Sequence, residues 1–343
     1  MSLARLTAKG SMKMGRSSVS GLRVTIFGSS GFLGRYVVSR LGAVGCQMVL
    51  PYRGDELYMR HLKPMADLGA INFVKGTIRS LEDIQAAVEG SNVVINLLGL
   101  RQETRRWSFG DCHVNFPAVL AEVCAEQGVE SFIHMSALGA TTSSDSALLR
   151  SKAVGEVAVR EGFPSATILR PATVFGDEDK FLNRKAIFAR HLPFFPLVDG
   201  GEAKAQPVFV DDVAKAVVAA VSDSSTAGKT YSLAGPKVYT QKELAEFVFK
   251  AIGDEPMTVS TPKSVALVGA AVAGLIPAPW MTPDLVRLES IDTIMENEPT
   301  TSLSFAELGL KARPMEELAA RYLFMYKKKS PFADDGVFVK EPQ

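Results

Sequence analysis

The 343-residue sequence predicts an α/β fold, a doubly wound parallel sheet with a smaller, mostly helical C-terminal domain. Three observations carry that reading. Short apolar runs alternate with helix-patterned stretches from Leu22 to Pro171. Several of these runs lack strict in–out alternation, as expected for parallel strands buried on both faces. A glycine-rich turn, Gly28-Ser29-Ser30-Gly31-Phe32-Leu33-Gly34, joins the first run to the first helical stretch.

In chain order, RVTIF (Arg23 to Phe27) is a β-rich run and GFLGRYVVSRLGAVG from Gly31 reads as a helix. MVLPY (Met48 to Tyr52) and INFVKG (Ile71 to Gly76) are further strands. SLEDIQAAVEG is a helix with Ser80 at its N-cap and Asp83 three residues on, a weaker variant of a capping box. VVINLLG (Val93 to Gly99), SFIHMSA (Ser131 to Ala137) and ATILRP (Ala166 to Pro171) complete the strands, with helical spacing in Phe116 to Gly128. After Pro171 the rhythm breaks at Pro193, Pro196, Gly200, Gly201 and Pro207, which marks loops and an excursion from the sheet. Gln206 to Val221 reads as a strand and amphipathic helix back on the sheet, and TYSLAG (Thr230 to Gly235) as one more strand. The expected division is a basic arm (1–20), a first unit (21–171), an excursion into a second domain (172–205) and a return to the sheet (206–235). A helical domain (236–326) and an extended tail (327–343) complete it.

Composition narrows the chemistry. With 38 Lys+Arg against 37 Asp+Glu the net charge is +1, which argues against a general nucleic-acid binder. The balance hides an asymmetry: residues 1–54 carry eight basic residues and no acid, leaving 30 basic and 37 acidic residues beyond. Cys46, Cys112 and Cys124 have no CxxC spacing, and His61, His113, His134 and His191 form no HxxxH or HExxH pair. Neither a disulfide framework nor a metal site is expected. No run reaches the roughly 18–20 apolar residues of a membrane span. Val265 to Ile276 (VALVGAAVAGLI) is too short, and reads first as a buried helix, otherwise as a segment lying on a membrane or protein surface. The first 20 residues are basic and acid-free, which fits a mitochondrial import segment or a loose basic arm.

The glycine turn follows a strand and opens a helix. Its glycines permit the tight turn and backbone approach to a pyrophosphate, and the helix N-terminus supplies N–H groups to the phosphates. Gly28, Ser29, Ser30, Gly31, Phe32, Leu33 and Gly34 are therefore candidate cofactor-binding residues. The second strand ends Leu50-Pro51-Tyr52-Arg53, with Asp55 beyond it. A cation there suits the 2′-phosphate of NADPH, whereas an acid would hold the ribose hydroxyl of NADH. Arg53 favours NADPH.

These motifs, with Ser136, Lys152 and RPATVFG (Arg170 to Gly176), resemble the atypical short-chain dehydrogenase/reductase superfamily and imply its Rossmann-like sheet. GRSSVSG, GFLGRYVVSRLG, PYR, VVINLLG, GVESFIHMS, KAVGE and QPVFVDDV are similar to the NADPH-binding accessory subunits of mitochondrial respiratory complex I. That similarity runs from about residue 15 to about 235 and thins beyond. It implies cofactor contacts from Leu98, Gly99, Ser136, Lys152 and Pro171. It also implies a place on the matrix side of the inner membrane, peripheral, among other complex I subunits near the junction of its two arms.

Reductases of this superfamily resemble one another in a Tyr-x-x-x-Lys helix with an upstream Ser. A nearby Lys lowers the tyrosine pKa so that the phenol can exchange a proton. Here Leu148 stands four residues before Lys152, and no tyrosine lies between Tyr58 and Tyr231. No catalytic residue is expected. Lys152 reads as a ribose contact or a solvated helix lysine, and Ser136 without the tyrosine as a strand-end hydroxyl. The expected function is an accessory, non-catalytic NADPH-binding subunit that supports assembly and stability. The alternative is an independent NADP-dependent reductase or epimerase, against which Leu148 counts. A sensor of the NADP(H) ratio is a third reading.

Overall fold

The structure is a computed structural model that describes residues 20–327 apart from 193, 256, 275–280 and 299–301. Seven strands form one sheet: β1 (Arg23–Phe27), β2 (Gln47–Tyr52), β3 (Ile71–Lys75), β4 (Val93–Asn96), β5 (Ser131–Met135), β6 (Thr167–Pro171) and β7 (Thr230–Leu233). Their spatial order is β3-β2-β1-β4-β5-β6-β7, and every pairing is parallel. The order reverses between β1 and β4. That switch point opens a crevice beyond the carboxyl ends of the two strands, the usual ligand position in such sheets.

Both faces are covered. Val24 and Ile26 of β1 pack on one side with Val37, Val38 and Leu41 of helix α1 (Phe32–Val44). Phe27 and Val94 point to the other side, among Phe116, Leu120 and Phe132. The buried positions of α1 are Gly34, Val37, Val38, Leu41 and Gly42, the spacing of one helix face. Gly45 ends the helix with φ 80°, its N–H donating to Gly42 O at 3.0 Å and the following Cys46 N–H to Leu41 O at 3.2 Å. Ser20, at the end of the expected loose arm, donates its N–H to Gly45 O at 3.1 Å and so belongs to the fold. The rest of that arm (1–19) lies outside the described residues, as does the expected tail from 328.

On the second face lie α2 (Leu81–Val88), α3 (Phe116–Glu126) and α4 (Ala147–Gly162). Ser80 caps α2 by accepting from Asp83 N at 3.2 Å, while the Asp83 carboxylate accepts from Thr77 N instead of closing a box on Ser80. A smaller core forms around α5 (Leu182–His191), α7 (Gln241–Ile252) and α9 (Met315–Leu323), with Phe175, Phe188, Leu244, Phe249 and Leu323 inside.

Two expectations are corrected. The strand expected within Gln206 to Phe209 does not join the main sheet: Val208–Phe209 pairs with Val174–Phe175 in a separate parallel pair. Only the helix that follows, α6 (Val210–Ser222), packs on the sheet, through Val213, Ala214 and Val217. The buried-helix reading of Val265 to Ile276 also fails. Helix α8 (Lys263–Ala273) buries only Ala270, and Val265, Val268 and Val272 are 59%, 66% and 63% exposed. Its apolar composition carried no signal for where it packs. Residues 275–280, including Trp280, lie outside the described residues.

The last third of the chain does more than build the second core. Leu303 bridges Tyr231 at the sheet edge, and Phe305 enters the main core.

Candidate functional site

The glycine turn sits at the switch point. Gly28 adopts φ 86°, and a Cβ there would stand 3.0 Å from the backbone of Leu97 and Leu98, so the turns after β1 and β4 touch. A Cβ on Gly34 would lie 2.3 Å from Gly28 O and 2.6 Å from Ser29 O. Both positions require glycine on steric grounds. Helix α1 starts at Gly31 with no side-chain cap and no acid in its first turn. Its first N–H groups therefore face the crevice without an internal anion. Buried Ser29 Oγ has no hydrogen-bond partner among the described residues. A dinucleotide pyrophosphate fits this cradle.

Beyond the turn is a cavity of about 260 Å³. Of the expected site residues, Gly28, Ser30, Arg53, Leu98 and Gly99 line it together. Tyr52 and Asp55, at and just beyond the end of the second strand, also line it, as do Tyr58, Thr77, Ile78 and Trp107, which the sequence did not single out. These four lie beyond the ends of β2 and β3 and in the segment after β4, where no motif marks them.

The other expected residues fall elsewhere. Leu33 packs against the main core, and Phe32 lies edge-on to Tyr36, its ring where a Cβ on Gly176 would meet it at 3.0 Å. Pro171 is buried at the end of β6, accepting from Leu138 N at 2.9 Å. Ser136 follows β5 with its buried Oγ unpartnered among the described residues. Lys152 is buried on α4 and donates Nζ to Met135 O at 2.8 Å. Its Nζ would be 3.4 Å from a Cβ on Gly99, so it reaches the far end of the β4 turn. Burial pushes its pKa down to about 8, opposed by the Glu156 carboxylate.

His113 fastens this end of the site. It lies in a π-helical turn, Gly110–Asn115, on which α4 packs so closely that a Cβ on Gly155 would stand 1.8 Å from His113 O. Its Nε2 accepts from Leu100 N at 2.9 Å, which makes Nδ1 the donor to Ser151 Oγ at 2.8 Å, and Ser151 Oγ donates to Leu148 O at 2.8 Å. Burial and then the Lys152 charge push His113 down to about 3, so the ring is neutral. The relay ties the β4 turn to the helix that carries Leu148 and Lys152.

Leu148 is the second residue of that helix. The Asp284 carboxylate covers the helix start, accepting from Ala147 N at 2.6 Å, Ser146 Oγ at 3.0 Å and Leu148 N at 3.2 Å. Nearby, Glu298 accepts from Gly139 N and Arg170 Nη1, both at 2.6 Å, and from Ser232 Oγ at 3.2 Å. Arg170 also forks onto Glu156 at 2.9 and 2.7 Å. Two carboxylates from the last third of the chain thus close over the ends of β5, β6 and α4. No local pattern in the sequence announces either.

A glycine cradle at the switch point, a buried helix lysine and two distant carboxylates over the strand ends define a nucleotide-binding α/β protein. The chain belongs to the NAD dependent epimerase/dehydratase family, whose family model matches residues 24–234. More narrowly, it is 41% identical over 336 residues to NADH dehydrogenase (ubiquinone) 1 alpha subcomplex subunit 9, mitochondrial, of Arabidopsis thaliana, covering 96% of this chain and 84% of that one. It is 43% identical to the Mus musculus protein of the same name, over 89% and 80% of the two chains. The NADH-ubiquinone oxidoreductase 40 kDa subunit of Neurospora crassa is 36% identical over 91% and 82%. Solved structures share the fold at low identity. The NADPH-dependent quinone oxidoreductase QOR2 of Escherichia coli, complexed with NADPH, superposes with TM-score 0.69 at 18% identity, over 88% and 99% of the chains. A Citrobacter triphenylmethane reductase complexed with NADP(H) gives 0.68 at 17%, over 88% and 100%.

Proposed function

We propose that this chain is an accessory, non-catalytic NADPH-binding subunit of mitochondrial NADH:ubiquinone oxidoreductase. In this reading it is peripheral to the matrix side of the inner membrane, beside other complex I subunits, and supports their assembly. The observation that carries the partner assignment is the match, over most of both chains, to subunits of that complex from plant, mammal and fungus. No helix among the described residues is long and apolar enough to cross a membrane. The exposed valines of α8 offer a surface for attachment.

When bound, NADPH brings a hydride donor. The residues of this chain hold it: the Gly28–Gly34 turn takes the pyrophosphate, Arg53 the 2′-phosphate, and Leu98, Gly99 and Lys152 the far ribose. Ser136 and Pro171 flank that end. Leu148 has no proton to exchange with a substrate carbonyl, a loss that typically forfeits about 10²–10⁴-fold in rate. The Asp284 carboxylate accepts from its backbone N–H, and Glu298 ties Gly139, Arg170 and Ser232 together. The nucleotide then stabilises the fold by mass action.

Purification of a tagged full-length chain from mitochondria tests the assignment. It should bring down the respiratory complex with NADPH bound at one equivalent per chain. A free chain, or one without nucleotide, would reject it.

A further inference from the structure

Arg53 has no ion-pair partner among the described residues; its guanidinium rests over the Trp107 ring, 5.0 Å from the centroid. Arg79 also lies over that ring, at 4.2 Å, but is anchored elsewhere. It donates to Arg106 O at 2.5 Å and stands 3.9 Å from the Asp111 carboxylate. The Trp107 segment is itself fixed. Thr104 N donates to Trp107 O at 2.9 Å, Trp107 N to Thr104 Oγ1 at 3.1 Å, and Phe109 N to the Glu103 carboxylate at 2.9 Å. Trp107 walls two cavities at once: Arg53 lines the one beside the glycine turn, and Arg79 the other, of about 210 Å³.

One guanidinium is therefore free to bind and the other is fixed in place. A planar guanidinium on an aromatic face keeps its N–H edge available for bidentate phosphate contacts. We propose that Trp107, backed by Arg79, is a positioning residue for nucleotide choice: it holds Arg53 so that the cavity selects a ribose 2′-phosphate. This inference rests on the nucleotide reading above. It adds that the choice of NADPH depends on an indole some fifty residues from the arginine it holds.

The test is calorimetric titration of the full-length chain, stripped of nucleotide, with NADPH and with NADH. The unmodified chain prefers NADPH. Trp107→Ala loses about two- to thirtyfold in NADPH affinity, the range of a guanidinium–indole contact, and leaves NADH affinity unchanged. Trp107→Phe keeps most of the preference, and Arg53→Lys loses it although the charge remains. Trp107 is only half-buried on a surface segment, and an unchanged melting curve shows that the variants fold. An unchanged NADPH/NADH ratio in Trp107→Ala, or equal losses for both, would overturn this inference and leave the cofactor site standing. No preference in the unmodified chain would instead reject NADPH as its cofactor, and this inference with it.

Discussion

Leu148 donates its backbone N–H to the carboxylate of Asp284, 3.2 Å away and 136 residues later in the chain. The contact joins the residue that replaces a proton donor to the segment that closes the site above it. Ser146 makes no side-chain cap for this helix, so Asp284 supplies both the acceptors and the negative charge that the helix start favours.

Asp284→Ala should therefore lower stability by about 1–2 kcal/mol, a typical value for a lost cap. Urea denaturation measures it as a lower midpoint at unchanged slope. Asp284→Asn should retain part of the effect. A midpoint equal to that of the unmodified chain would mean that Asp284 does not cap α4.

Arg53→Ala should weaken NADPH binding more than NADH binding. A charge-assisted, bidentate phosphate contact contributes about 1.5–3 kcal/mol, or about ten- to a hundredfold in affinity. Equal losses in titrations with the two nucleotides would show that Arg53 does not read the 2′-phosphate.

Acid stability should depend on Asp211. Burial acts to raise its carboxyl pKa, but hydrogen bonds from Arg40 at 2.6 and 2.7 Å and from Arg313 at 2.5 Å overcome it and hold the group at about 2. An unfolded Asp titrates near about 3.9. The stabilisation is thus complete above about pH 4 and is lost as pH falls toward about 2, where the folded carboxylate also protonates. Urea midpoints measured down this range should fall less steeply for Asp211→Asn than for the unmodified chain. Parallel curves would refute the assignment.

The exposed face of α8 should matter for attachment and not for folding. Val268→Asp with Val272→Asp changes two side chains that are 66% and 63% exposed, so stability should move by no more than about 0.5 kcal/mol per site. Recovery of the chain with the membrane-bound complex should drop. Full recovery of the double variant would exclude this face as a contact.

Much of the sheet was legible because parallel strands buried on both faces carry their signal locally, as in Val93–Asn96, where every residue is buried. The Gly28–Gly34 turn was legible for a similar reason: its demand for glycine arises within seven residues. What closes the site was not. Asp284 and Glu298 act on partners 66 to 159 residues away, and an isolated acid in a polar stretch carries no mark of that. Trp107 and His113 are likewise defined by what folds against them, an arginine pair in one case and the Leu100 and Ser151 bonds in the other. Helix α8 misled in the opposite way. Its residues are apolar almost throughout, and composition without a polar face does not say whether protein, membrane or solvent covers it.

Single-turnover absorbance at the reduced-nicotinamide band tests the central claim most directly. The purified chain, loaded with NADPH, is mixed with a panel of aldehydes, ketones and quinones. The band should stay constant over many minutes, while NADPH at a hundredfold excess over Kd stabilises the nucleotide-stripped chain by about 2.7 kcal/mol and so raises its melting temperature. Stoichiometric loss of the band with any one substrate would contradict it and make the chain a working reductase.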